Sequence, residues 1–379
     1  KYDFFDIKNK TKFYQENIEV NPIFYKGSLY ALGPDFKFVS LDAKTGNINW
    51  EILLPPVKGM VPKRGILAFQ DMIFLNIGSR LFVLDHFTGR VVKSFGENGV
   101  YSGGSLVSPF IYKNKVYVLA IDGFLRGFDL NTGKLISEIP YRTKEYPGFS
   151  SIPWGGVAVD FNEGLAYFST GNAKPDIYGV NRPGSNKGSN TLFCLDLNQE
   201  KIAWSFQETQ HDLWDYDLPS PPLLANIKVS DTHELKLVIS ISKTGNVLIF
   251  DRISGINLHD ITWTKVNTET NVPGEILSPV QINSKLPERL IRIEYKQEDY
   301  REGSPEELIR VRSFLKNSNL GFYSAPMIGK PAVLYGIHGG AEWPGSSFNE
   351  DSVSSPSGRP LAVRSFSQMI SGSFAIFIF

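Results

Sequence analysis

Residues 211–217 read His-Asp-Leu-Trp-Asp-Tyr-Asp, three carboxylates and a histidine within seven residues. Three carboxylates this close repel one another if desolvated, unless a metal or an acid–base reaction uses them and the neighbouring imidazole. A solvated acidic turn would also hold them, but it leaves Trp214 unexplained. Trp154 follows Ile152-Pro153 at the start of a strand phrase, where an indole can serve as a stacking face or fill a junction between repeats. Asn172 ends a Ser-Thr-Gly-Asn phrase that alone reads as a turn, and Lys243 opens a Lys-Thr-Gly turn where a solvated ammonium is the ordinary state.

Other chemistries are excluded. The single cysteine, Cys194, rules out an internal disulfide, a Cys-based zinc site and a CxxCH haem attachment. None of the five histidines has metal-ligand spacing to another. Residues 127–135 (GFDLNTGKL) miss the phosphate-binding pattern, with five residues between the glycines and no Ser or Thr after Lys134. Lys plus Arg and Asp plus Glu both number 39, a balance that argues against a nucleic-acid partner. No apolar run approaches the ~18 residues of a transmembrane helix.

The elements that must position these side chains repeat. FVSLDAKTGNINW (38–50) returns as LFVLDHFTGRVV (81–92), LRGFDLNTGKLI (125–136), LFCLDLNQEKIAW (192–204) and VLIFDRISGINL (247–258). Each copy is an apolar strand, a turn opened by Asp42, Asp85, Asp129, Asp196 or Asp251, and a second strand. Glycine closes four of the turns, where φ must be positive; the fourth copy has Gln199-Glu200 instead. Strand pairs such as 21–32 and 108–120 precede the phrases, giving four strands per ~45 residues, the unit of a β-propeller blade. The class is all-β. Two excursions interrupt it, at 141–190 and 260–320. The second contains a helix with Ser304 as cap, Pro305 at its first position, Glu307 completing a capping box, and Leu308, Val311 and Leu315 on one face.

The phrase Asp42–Trp50, together with 152–172, 210–227, 241–255 and 318–345, resembles the quinoprotein dehydrogenases that use pyrroloquinoline quinone (PQQ). The likeness runs from Glu19 to Gly345 and is nearest the branch of membrane-bound glucose dehydrogenase. It implies an eight-bladed β-propeller, of which five to six blades are represented here, with a helical insert at about 260–320. It also implies PQQ and Ca2+ on the ring axis, and a sugar, polyol or other alcohol as substrate. Trp154 is then the indole under the quinone, Asp215 the general base and a calcium ligand, and Asn172 an amide-oxygen ligand; such oxygens suit calcium. Lys243 is the cation beside the quinone oxygens, stabilising charge as hydride arrives. Glu19, Arg64 and Trp343 match further PQQ contacts. By the same likeness electrons pass to a ubiquinone-type membrane acceptor and the protein works in the periplasm.

The sequence departs from the family in three places. Val57-Lys58-Gly59-Met60 stands where alcohol-oxidising members carry a vicinal disulfide. The acidic calcium ligand of the third repeat has no clear counterpart, and Asp122 in Ala120-Ile121-Asp122-Gly123 is its substitute. Beyond residue 349 the repeat stops, so the expected organisation is a partial propeller over 1–349 and an atypical tail over 350–379. With no opening Met, the chain reads as an internal fragment or the product of a disrupted gene. A non-catalytic binding scaffold or an inactive fragment is the competing reading; a scaffold would have no use for Trp154, Asn172, Asp215 and Lys243 together.

Overall fold

The computed structural model describes residues 20–33, 36–55, 65–77, 80–286, 289–294, 303–334, 341–348, 363–365 and 375–377. The chain divides into two compact units, Lys1–Pro140 and Tyr141–Phe379.

The first unit holds three four-stranded antiparallel sheets, each in sequence order. One is β1 (Ile23–Tyr25), β2 (Ser28–Leu32), β3 (Lys37–Asp42) and β4 (Ile48–Leu53). The next is β5 (Ile66–Phe69), β6 (Met72–Ile77), β7 (Arg80–Asp85) and β8 (Val100–Ser102). The third is β9 (Phe110–Tyr112), β10 (Lys115–Leu119), β11 (Phe124–Asp129) and β12 (Leu135–Pro140). Middle strands such as β6 are buried along nearly their whole length, whereas β4 and β12 bury one face and expose the other. That is why LFVLD runs apolar and the strand after the turn alternates.

The second unit repeats the pattern with β13 (Pro153–Asp160), β14 (Leu165–Thr170), β15 (Thr191–Asp196) and β16 (Lys201–Gln207). A three-stranded sheet follows, β17 (Leu223–Ser230), β18 (His233–Ile241) and β19 (Val247–Asp251), and then the pair β20 (Asp260–Lys265) and β21 (Val280–Leu286). Helix α1 (Pro305–Lys316) has the expected cap: the Glu307 N–H donates to Ser304 Oγ and the Ser304 N–H to Glu307 Oε2. In the stretch that sequence left as a tail, β24 (Val363–Ser365) pairs with β23 (Ser346–Phe348), and β25 (Ala375–Phe377) with β22 (Ala332–Leu334). Among the described residues no helix is long and apolar enough to cross a membrane.

The repeat phrase is a repeated piece of chemistry. Asp42 Oδ1 accepts from the Thr45 N–H and hydroxyl, both at 2.7 Å, and Asp85 with Thr88, Asp129 with Thr132 and Asp251 with Ser254 repeat the pattern. The fourth turn survives its missing glycine because Glu200 itself adopts φ 54°, with Asp196 accepting from Gln199 N–H at 2.8 Å. Two residues before the turn, the register slips at Ser40/Leu41, Gly127/Phe128 and Cys194/Leu195, a bulge held in the same place in three sheets.

Neighbouring sheets lock through the turn glycine. The Trp50 indole lies on Gly89 and donates to the His86 carbonyl at 3.0 Å; Trp204 lies on Gly255 and donates to the Arg252 carbonyl at 3.1 Å. Between the second and third sheets Phe95 takes that place against Gly133. A Cβ at Gly255 (φ +72°) would come within 2.6 Å of Trp204, whereas one at Gly46 (φ +76°) meets nothing. Gly46→Ala should therefore cost about 1–2 kcal/mol of backbone strain, and Gly255→Ala about 1–3 kcal/mol more from overpacking. Urea unfolding of the two variants separates the terms; equal losses would show that Trp204 does not depend on bare backbone.

Candidate active site

The site is built where strands of the second unit end. Pairing of Pro153 with Thr170, and a 2.9 Å bond from the Gly171 N–H to the Ile152 carbonyl, set Trp154 at the start of β13 beside Asn172 just past β14. Lys243 lies two residues past the end of β18, its N–H donating to the Asp217 carbonyl at 3.0 Å.

The segment 211–217 is anchored by its aromatic residues. Trp214 and Tyr216 pack with Leu213, Leu277, Phe322 and Ala325, and each polar tip is satisfied: Trp214 Nε1 donates to the Ser324 carbonyl at 2.7 Å, the Tyr216 hydroxyl to the Phe322 carbonyl at 2.9 Å. The alternating carboxylates of Asp215 and Asp217 instead meet Lys243 and Trp154. Asp215 has φ 62°, a left-handed conformation that costs about 1–3 kcal/mol in a non-glycine residue.

Distances in the cluster are short. Lys243 Nζ donates to Asp215 Oδ2 at 2.9 Å, lies 3.9 Å from Asp217 Oδ2, and sits 5.5 Å from the centroid of the Trp154 ring. Trp154 Nε1 donates to Asp217 Oδ2 at 2.9 Å, and the Asn172 N–H to Asp217 Oδ1 at 3.2 Å. Asn172 Nδ2 donates to the Asp176 carbonyl at 2.9 Å, which orients the amide and leaves its Oδ1 buried with no hydrogen-bond partner. A buried amide oxygen in this state suits a water or a hard cation such as calcium.

The electrostatics follow from burial and proximity. Burial pushes the Asp217 carboxyl up; Lys243 opposes that rise, and Asp215 and Asp212 add to it. Burial also pushes Asp212 up to about 6, against the N–H groups of Trp214, Asn190 and Tyr216 that donate to it. For Lys243, burial would strip the proton, but Asp217, Asp215 and Glu342 outweigh it and hold the ammonium above its usual range.

The structure thus brings together Trp154, Asn172, Asp215 and Lys243. Trp343 is half-buried and follows Ala341, whose N–H donates to the carbonyl of Ser242. Glu19 and Arg64 lie outside the described residues. Asp122, the substitute for the acidic calcium ligand, is exposed, and both its oxygens are held by Arg126 at 2.9 and 2.8 Å. Sequence reasoning missed three carboxylates. Asp217 was visible two residues beyond Asp215, on the same side of an alternating run. Glu208 is fully buried, accepting from Ser242, Thr244 and Asn246, and burial raises its pKa. Glu275, in the insert, meets His211 Nε2 at 2.7 Å and the Gly179 N–H at 2.7 Å.

Residues 1–355 match the family described as "PQQ: Glucose/ethanol/alcohol dehydrogenase, beta-propeller domain", and the chain belongs to this family. It is 29% identical over 326 residues to quinoprotein glucose dehydrogenase A of Acinetobacter calcoaceticus, covering 75% of this chain and 41% of that protein. It is 24% identical over 385 residues to the glycerol dehydrogenase large subunit of Gluconobacter thailandicus, covering 88% and 52%. The fold is similar to that of the quinohemoprotein alcohol dehydrogenase of Comamonas testosteroni, at 21% identity and a TM-score of 0.62, covering 89% of this chain and 51% of that one. The chain spans about half the length, or less, of the curated relatives it matches.

If Lys243 neutralises the buried acids, Lys243→Met should destabilise the protein by about 3–5 kcal/mol, the cost of leaving a buried charge unpaired. Adding Asp215→Asn should return part of that loss. Urea unfolding of both variants provides the check, and a Lys243→Met loss below about 0.5 kcal/mol, the range of an inert surface change, would contradict the pairing.

Proposed function

We propose that the intact protein is a PQQ- and calcium-dependent dehydrogenase acting on the carbinol of a sugar, polyol or other alcohol. It would work in the periplasm and hand electrons to a membrane quinone. One observation carries the reading: a stacking indole, a buried ammonium, a reachable carboxylate and an amide oxygen lacking any donor all meet in one cluster. The relatives are glucose and glycerol dehydrogenases by name, which supports the substrate class.

The residues present fit the two groups. Trp154 offers the aromatic platform, Lys243 the cation for an electron-rich quinone, and Asn172 Oδ1 with an Asp215 oxygen the hard donors for calcium. When bound, PQQ supplies the two-electron acceptor and calcium the Lewis acid. Asp215 is the base because access decides between the acids: its side chain is 23% exposed, against 7% for Asp217. It takes the proton of the substrate hydroxyl, and the Lys243 ammonium at 2.9 Å keeps it aimed until then. Glu342, which also bears on Lys243, joins the acids that keep this cation charged.

The intact protein should bind PQQ with calcium and lose it to a chelator, with quenching of Trp154 fluorescence as the ring stacks. Asp215→Asn should lower turnover by about 10²–10⁴-fold, the usual worth of a general base, while PQQ affinity stays within about tenfold, or 1.4 kcal/mol. PQQ binding that ignores the chelator, or near-native turnover in Asp215→Asn, would overturn the assignment.

A further inference from the structure

We propose that Asp217 is the positioning residue of the site, its carboxylate fixing the plane of the Trp154 indole on which the cofactor of the proposed function stacks. The role rests on that function reading, and its geometry stands apart from it. Asp217 is nearly buried, at 5% exposure, and is bonded to three separate strand ends. Its Oδ2 accepts from Trp154 Nε1 at 2.9 Å, its Oδ1 accepts from the Asn172 N–H at 3.2 Å, and its carbonyl accepts from the Lys243 N–H at 3.0 Å.

A second observation points the same way. A Cβ at Gly171 would lie 2.8 Å from Asp217 Oδ2 and 2.8 Å from Trp154 Nε1, the two atoms of the hydrogen bond. The chain is bare where the bond forms. Indole has one donor and no acceptor, so this contact sets the ring's rotation about its side-chain bonds. A bond to a carboxylate is shorter and stronger than one to a neutral acceptor, and a ring held before binding spares the ordering cost that binding would otherwise carry. Asparagine cannot replace it. Whichever way its amide turns, the NH2 group faces either the Trp154 N–H or the Asn172 N–H, donor against donor.

The test uses the intact protein with 15N-labelled tryptophan, the Trp154 indole signal being identified by its loss in Trp154→Phe. Asp217→Asn should move that signal in the cofactor-free protein and weaken PQQ binding, measured with calcium present, by about 10–100-fold, or 1.4–2.8 kcal/mol. Gly171→Ala, which leaves the carboxylate in place and wedges a methyl into the bond, should do the same, and it serves if Asp217→Asn does not fold. Because Phe has no N–H, Asp217→Asn in the Trp154→Phe background should add clearly less than the about 10–100-fold it causes alone, the mark of coupling through that bond. Losses that multiply in the double variant, or an indole signal unmoved by Asp217→Asn and Gly171→Ala, would overturn the positioning role. An unsubstituted protein that does not bind PQQ would overturn the function reading and, with it, the cofactor role of Asp217, even if the indole signal moves.

Discussion

Lys243 is an ammonium that burial would neutralise, kept charged by Asp217, Asp215 and Glu342. Without that cation the Asp217 and Asp215 carboxylates would repel each other. The cation also lies over the Trp154 ring, where the face of the indole adds to its stabilisation. Asp217 passes the constraint on, binding the indole N–H with one oxygen and the Asn172 N–H with the other. Asp215, Lys243, Trp154 and Asn172 are therefore one electrostatic unit.

Such a unit needs a rigid frame, and the repeats supply it. The Asp-initiated turns and their left-handed closing residues set the hairpins, and Trp50 on Gly89 and Trp204 on Gly255 fix sheet to sheet within each unit. The acidic segment has no ladder of its own. It is held by Trp214 and Tyr216, whose polar tips reach carbonyls more than a hundred residues away in the chain. The excursion that carries α1 thus leads into residues 322–325, which back the site, and its Glu275 ties in through His211.

Much of the frame was legible because it rests on local chemistry. The Asp–Thr–Gly turn and the Ser304–Glu307 box are each written within a few residues and recur in the structure as read. The site was legible by likeness rather than by physics: Asn172 alone reads as a turn residue and Trp154 as a core residue, and what sets them apart is a meeting across 45 to 63 positions. Asp217 and Glu208 were missed because their roles depend on desolvation, which the sequence does not record; FQETQ reads as an ordinary strand end until Glu208 is seen to be fully buried. Phe95, filling the tryptophan place against Gly133, was missed because it lies outside the repeat phrase. Asp122 was singled out by its position in a repeat alone, and in the structure Arg126, four residues on, pairs with its carboxylate.

The central claim is that this carboxylate–lysine cluster is the cofactor site, and a crystal structure of the intact protein reconstituted with PQQ and calcium tests it most directly. The quinone ring should lie on the Trp154 indole, with calcium within about 2.3–2.6 Å of Asn172 Oδ1. Quinone density away from Trp154, or a calcium ion whose ligands exclude Asn172, would contradict it.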